Sequence, residues 1–357
     1  MFDTSNIFHY FIAFSIIVGS SYFANKYKDS LDTNDDYELI KKYLLNDSPL
    51  YGFNKPKLWI HTKYEINSRK WKSFYSRNTT DLNQPYIHLT VKTIINHCGN
   101  DFNICLIDDD VFSKLIPSWD IDINSMAEPK KSEFRKIGLL KLIYYYGGMV
   151  VPHSFLCLKN LKELYIEGTE NNLPFVCETV NYTVNNIKHH NKMLFIPDMY
   201  FFGANKNSET IKDAIEYLKL RSQSPHFSSE MDFLGDTQEL FIQSINNQKM
   251  NLIGGELIGI KTKIKKPVTV DDLMEENFLD FDTNIYGIYI PEEDILKRIK
   301  YQWFAVMNSH DILESRLIIA KYLKASLVDS TSEYMKNNTN SSNGVSTSST
   351  ISNITSI

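Results

Sequence analysis

SEFRKIGLLKLIYYYGGMVVPHSF, residues 132–155, is the stretch on which the reading of this chain turns. From Ser132 to Tyr146 the apolar side chains recur at helical spacing, with Phe134, Ile137 and Leu140 on one face. Gly147-Gly148 stops that helix, because glycine accepts the left-handed backbone in which helices end. Met149 to Leu158 then reads as extended, β-rich chain.

The same alternation continues on both sides. Lys57-Leu-Trp-Ile-His61, after Pro56, predicts a first strand; Pro85 to Cys98 predicts a helix, with Ile87, Val91, Ile94 and Ile95 at helical spacing. Asn103 to Ile107 predicts a second buried strand that runs into Asp108-Asp109-Asp110. Further on, Pro174–Cys177 and Tyr200–Gly203 read as short strands and Glu209–Leu220 as a helix. Asn284–Pro291 alternates like a strand, and Ile312–Ser326 reads as a closing helix. Interleaved strands and helices point to α/β layering.

The order of these parts resembles sugar transferases of the GT-A fold, closest to glycosyltransferase family 32 and the capsular polysaccharide synthesis proteins. Those families run from a strand ending in a histidine loop to a strand ending in an acidic turn. A helix carrying Ser-Asp and Arg follows, then Tyr-Gly-Gly leading into Asp-x-Asp. Here Trp59-Ile60-His61, Leu106-Ile107-Asp108-Asp109, Ser132-Glu-Phe-Arg135 and Tyr146-Gly147-Gly148 come in that order, within residues 55–205. The chain also looks like proteins of large AT-rich DNA viruses. The resemblance implies a single GT-A-like α/β domain over 37–328, a nucleotide-sugar donor and a glycan acceptor. It also implies donor contacts at His61, Glu133, Arg135, Gly147 and Gly148.

The chemistry of that family rests on a divalent ion. A donor diphosphate gains charge as the sugar departs, and Mn²⁺ or Mg²⁺ held by paired carboxylates offsets it. At the two aspartate positions this chain has Pro152 and Ser154, with His153 between them. Proline offers no ligand and serine only a neutral one, so the expected metal set here is none. A metal enters only through a relocated site, for which Asp108 and Asp110 are the candidates: an Asp-x-Asp at a strand's carboxyl end, where open α/β sheets bind ligands. The competing reading of that turn is a cap for a helix beginning near Val111. His61 reads equally as a nucleotide contact or as a satisfied histidine at a sheet edge. Arg135 reads as a phosphate contact or as the partner of an acidic neighbour. His153 next to proline reads as a turn residue ahead of a transition-metal ligand, Trp303 and Phe304 as core ahead of a sugar platform, and Asp198 as the acceptor base or a turn residue.

Composition narrows the remaining choices. With 38 basic and 43 acidic residues, the chain lacks the clustered basic face of a nucleic-acid binder. Its most basic run, Lys261–Lys266, reads as a solvated loop. Cys98, Cys105, Cys157 and Cys177 form no metal spacing, and Cys105 and Cys157 lie in apolar runs as buried thiols. Ile7 to Ala24 contains no Asp, Glu, Lys or Arg and reads as a short single-pass membrane anchor within residues 1–25. Lys26 and Lys28 behind it favour a cytoplasmic main domain. Residues 26–36 read as a stalk and 329–357, rich in Ser, Thr and Asn, as a disordered tail. Three functions follow: a transferase with a metal-independent or relocated site, a transferase fold that binds without turnover, and a membrane-anchored virion structural protein.

Overall fold

The computed structural model describes residues 55–62, 84–128, 130–181, 194–223, 230–297 and 299–328, all within one compact unit, Leu50–Ile357. The expected anchor at 7–24, the stalk and the tail lie outside the described residues. Among the described residues no helix is long and apolar enough to cross a membrane.

The fold is mixed α/β. Its strands are β1 (Lys57–His61), β2 (Asn103–Ile107), β3 (Gly148–Val150), β4 (Phe155–Cys157), β5 (Phe175–Val180), β6 (Phe195–Ala204), β7 (Asn251–Ile253) and β8 (Gly287–Tyr289). Its helices are α1 (Tyr86–Cys98), α2 (Val111–Leu115), α3 (Lys130–Tyr146), α4 (Lys162–Gly168), α5 (Glu209–Ser222), α6 (Glu230–Asn246), α7 (Val270–Leu273), α8 (Glu292–Lys297), α9 (Gln302–Ala305), α10 (Ser309–Glu314) and α11 (318–328).

Six strands form the main sheet in the order β2-β1-β3-β6-β5-β7. β1 pairs parallel with β2 and β3, and β5 parallel with β7. β6 runs antiparallel to both β3 and β5. β6 is therefore the one reversed strand of this sheet, and the carboxyl ends of the other five share an edge with its amino end. The inner strand β1 and the edge strand β2 are apolar on both faces, as the runs LWI and ICLI require of a sheet covered on each side. One apolar cluster joins Trp59, Ile107, Val150 and Phe202 to α3 and α5; a second joins α1 to the β4–β8 ribbon and the carboxyl-terminal helices.

Several expectations change in tertiary context. The extended stretch Met149–Leu158 divides into two strands in different sheets, β3 pairing with β1 and β6, and β4 with β8. Pro152 lies in the turn between them, where its missing N–H costs no ladder bond. The closing helix is also two helices. Asn308 caps α10, and Ser315 leaves the helix in extended backbone. The next segment starts at Ile318, whose N–H donates to Glu275 O across the fold. Trp303 is not core: it is 45% exposed, whereas Phe304 is buried against Tyr86. Only Gly287–Tyr289 of the expected strand 284–291 pairs, and Tyr200–Gly203 extends to the ten residues of β6. α6 and β7 lie outside the segments assigned from sequence.

Gly147 and Gly148 serve the sheet. Both have positive φ, and a Cβ on Gly148 would sit 2.1 Å from Lys57 O. No side chain fits there, because β3 begins directly against β1. Trp59 Nε1–H donates to Gly147 O at 3.0 Å and ties the same corner.

Candidate functional site

The sheet order places a topological switch point between β1 and β3: the chain leaves β1 for β2 on one side and later returns to β3 on the other. Open α/β sheets hold ligands in the crevice at the carboxyl ends of such strands. His61 is the last residue of β1, Asp109 follows β2, and His153 follows β3. The first turns of α3 bring Lys131 and Arg135 to the same edge, where they meet Asp109.

Asp109 is the hub. Arg135 Nε and Nη2 donate to its two oxygens at 2.8 and 2.7 Å, a bidentate pair. His61 Nε2 lies 3.0 Å from Asp109 Oδ1, and the imidazole stacks on Phe112. Lys131 Nζ is 3.9 Å from Oδ2, and Arg135 also reaches Glu128 at 3.4 Å. Burial by itself would raise the Asp109 carboxyl. The hydrogen bonds and charges of His61 and Arg135 outweigh it and hold the group well below the usual carboxylate range. Arg135 is moved the other way: burial opposes its charge, but Asp109 and then Glu128 raise it.

Of the residues proposed from sequence, His61 and Arg135 thus meet, through an aspartate not singled out there. The flanking Asp108 and Asp110 turn to loop duties. Asp108 Oδ1 accepts from the N–H groups of Asp110 and Val111 at 3.1 and 3.2 Å, closing the turn that leads into α2, whose N-cap Asp110 makes no side-chain cap bond. Asp110 Oδ1 accepts from Asn124 Nδ2 at 2.6 Å. Among the described residues no group of three or more His, Cys, Asp or Glu is placed to hold a metal ion. Between β3 and β4, Pro152 offers no ligand and Ser154 only a neutral one, a donor set that does not fit a divalent cation.

Glu133 is buried on α3. Gly147 and Gly148 lie at the amino end of β3, a strand's length from His61, so they form the wall of the sheet and not the rim of the site. An open cleft of about 340 Å³ adjoins Asp109, lined also by Ser113, Trp119, Asp122 and Asn124.

The turn after β3 is locked. Thr90 Oγ1–H donates to His153 O at 2.5 Å. His153 Nδ1 lies 2.9 Å from His61 O, and since a carbonyl only accepts, Nδ1 carries a proton. Its Nε2 meets the carboxylate of Glu292, at the start of α8. His153 is therefore a buried structural and electrostatic element, more than a turn residue.

Asp198 lies within β6, near the amino end that shares this edge, and is 5% exposed. It is not a turn residue. Tyr200 N–H donates to Oδ1 at 2.9 Å, while Oδ2, like Ser154 Oγ, is buried with no hydrogen-bond partner among the described residues. Burial pushes the Asp198 carboxyl up to about 6, against the pull of Tyr200 N–H, the Tyr289 hydroxyl and the Lys136 charge. Tyr289 in turn is raised by burial and by Asp198, Glu292 and Glu293.

Farther along the edge, at the ends of β5 and β7, Lys261 turns inward. Its Nζ lies 2.5 Å from Glu178 and 3.0 Å from Glu256, so the first residue of the basic run is buried and paired, not solvated. All four cysteines are buried and free, as the apolar setting of Cys105 and Cys157 leads one to expect.

No family model matches the chain, and no curated protein does. Among solved structures the chain is similar to one described as "PaToxG Glycosyltransferase", at 14% identity over 62% of this chain and 80% of that one, with a TM-score of 0.32. A likeness that distant carries no weight for the function. What stands on the chain's own geometry is a mixed α/β fold with a parallel-rich central sheet and a charged, largely buried site at the switch point.

Proposed function

We propose that this chain is a glycosyltransferase-like protein that takes a nucleotide-sugar donor and a glycan acceptor at the carboxyl edge of its sheet, without a divalent ion at residues 152 and 154. The observation that carries this reading is the convergence of His61, Asp109, Arg135 and His153 from four separate segments on the switch point. The ordered resemblance from Trp59 to Gly148 supports it. Donor charge falls to fixed protein groups, chiefly Arg135, Lys131 and His153, in place of a cation. In the transfer step the acceptor oxygen bonds to the anomeric carbon as the bond to the diphosphate breaks. Asp198 receives the acceptor proton, and the nucleoside diphosphate leaves. A carboxyl near 6 is suited to that work, since a base is most effective with its pKa near the working pH.

The second reading is binding without turnover. It is favoured by the saturation of Asp109 and by the 5% exposure of Asp198, which leaves the base little room to meet an acceptor. Thermal shift of the full-length chain with UDP- and GDP-sugars, with and without Mn²⁺, tests the common part. A shift of equal size with and without Mn²⁺ is expected. No shift with any donor rejects both readings, and a shift that requires Mn²⁺ and vanishes in Asp108→Ala or Asp110→Ala restores a relocated metal site. Donor binding with no sugar transferred or hydrolysed selects the second reading.

The apolar stretch 7–24 makes the protein membrane-anchored in this proposal, with its main domain on the cytoplasmic side and a virion membrane as one setting. In sealed vesicles with the cytoplasmic face outward, protease is expected to digest residues 50–328; protection of that region reverses the orientation.

A further inference from the structure

His153 and Glu292 are 139 residues apart in sequence and meet at the edge of the sheet. The imidazole is fixed from behind. Nδ1–H is committed to His61 O, and the backbone of the turn is held by Thr90. Nε2, on the other side of the ring, meets the carboxylate of Glu292. The two partners are not equally held. The His153 side chain is 9% exposed and that of Glu292 22%. Glu292 opens a helix of six residues whose first turn also carries Glu293 and Asp294.

A carboxylate oxygen and a phosphoryl oxygen are interchangeable acceptors for an imidazolium N–H. We propose that Glu292 is a displaceable latch: its carboxylate occupies, on His153 Nε2, the place of a phosphoryl oxygen of the donor. Ligand arrival and departure of α8 from the sheet edge are then one event. The idea rests on the donor-site reading above and goes beyond it. It assigns His153 as a phosphate contact and gives the carboxyl-terminal segment a gating role. Glu292 and Glu293 both act on the buried Tyr289 hydroxyl, which also meets Asp198, so displacing Glu292 lowers the negative charge at this edge.

The test titrates the full-length protein with inorganic pyrophosphate and follows the amide exchange of α8. Glu292→Gln keeps the shape and removes the charge, so it is expected to tighten pyrophosphate binding about tenfold, the ratio typical of one charge-assisted bond. The same variant is expected to show fast exchange in α8 without ligand, as the wild type shows only with it. His153→Gln is expected to abolish the gain when combined with Glu292→Gln. Glu292→Asp, with a shorter reach, falls between wild type and Glu292→Gln, and serves if the glutamine variant melts far below wild type. Equal or weaker binding by Glu292→Gln overturns the latch, as does a double variant that binds as tightly as Glu292→Gln alone. If the wild type binds nucleotide-sugars while these variants behave alike, the latch falls and the donor site stands. If no form binds nucleotide-sugar or pyrophosphate, both fall.

Discussion

Arg135→Met is expected to lower the stability of the folded chain by about 3–5 kcal/mol, the usual cost of stranding one partner of a buried ion pair. The side chains of Arg135 and Asp109 are 7% and 11% exposed, so water does little to screen their charges. Without the guanidinium, Asp109 keeps His61 and the more distant Lys131 but loses both members of its bidentate bond. Arg135→Lys recovers only part of the loss, because an ammonium cannot make the paired contact. The pH dependence has a definite sign. Asp109 is depressed in the fold, so the pair's contribution is present above the ordinary carboxyl value of 3.8 and is lost as pH falls through its lower folded value. The gap between wild type and Arg135→Met, measured by urea denaturation, is accordingly expected to shrink in acid. Equal midpoints at pH 7 contradict a buried hub.

Asp198→Asn is expected to act in the opposite direction on stability and to remove the proposed reaction. A carboxyl raised from 3.8 to about 6 favours the fold fully below 3.8, and that contribution is lost as pH rises through about 6. At pH 7 the ionised group therefore costs about 3 kcal/mol, which the neutral amide does not incur. Transfer is expected to fall 100-fold or more with donor affinity unchanged, the usual effect of removing a positioned base. The wild-type rate is expected to decline as pH drops below about 6, where Asp198 takes up its proton. A variant less stable than wild type at pH 7 contradicts the strained carboxylate. A stabilised variant of unchanged transferase activity takes the base role away from Asp198, and a stabilised variant of a protein without turnover belongs to the binding reading.

These two aspartates also show how far sequence reasoning reached. In the triple Asp108-Asp109-Asp110 the outer pair had the spacing of a metal motif, yet Asp108 bonds the N–H groups of the turn, Asp110 takes Asn124 Nδ2, and the middle one meets Arg135. A strand-end turn directs consecutive side chains differently, and which of them meets Arg135 depends on where α3 docks. Asp198 was visible as a candidate, but its buried, half-satisfied state follows from β6 running between β3 and β5.

The sequence by itself determined the layered α/β character and the near-exact bounds of β1, β2, α1 and α3, because continuous apolar runs and helical spacing are local signals. It also determined that residues 152–154 carry no carboxylate, since that needs no structure to be seen. Tertiary structure alone decided that Met149–Leu158 is two strands in two sheets and that Gly148 packs on Lys57. It alone brought Glu292 to His153 and Arg135 to Asp109. Contacts between residues 26 to 139 positions apart leave no trace in local pattern; they exist only once the sheet order and the docking of α3 and α8 have fixed which ends share an edge.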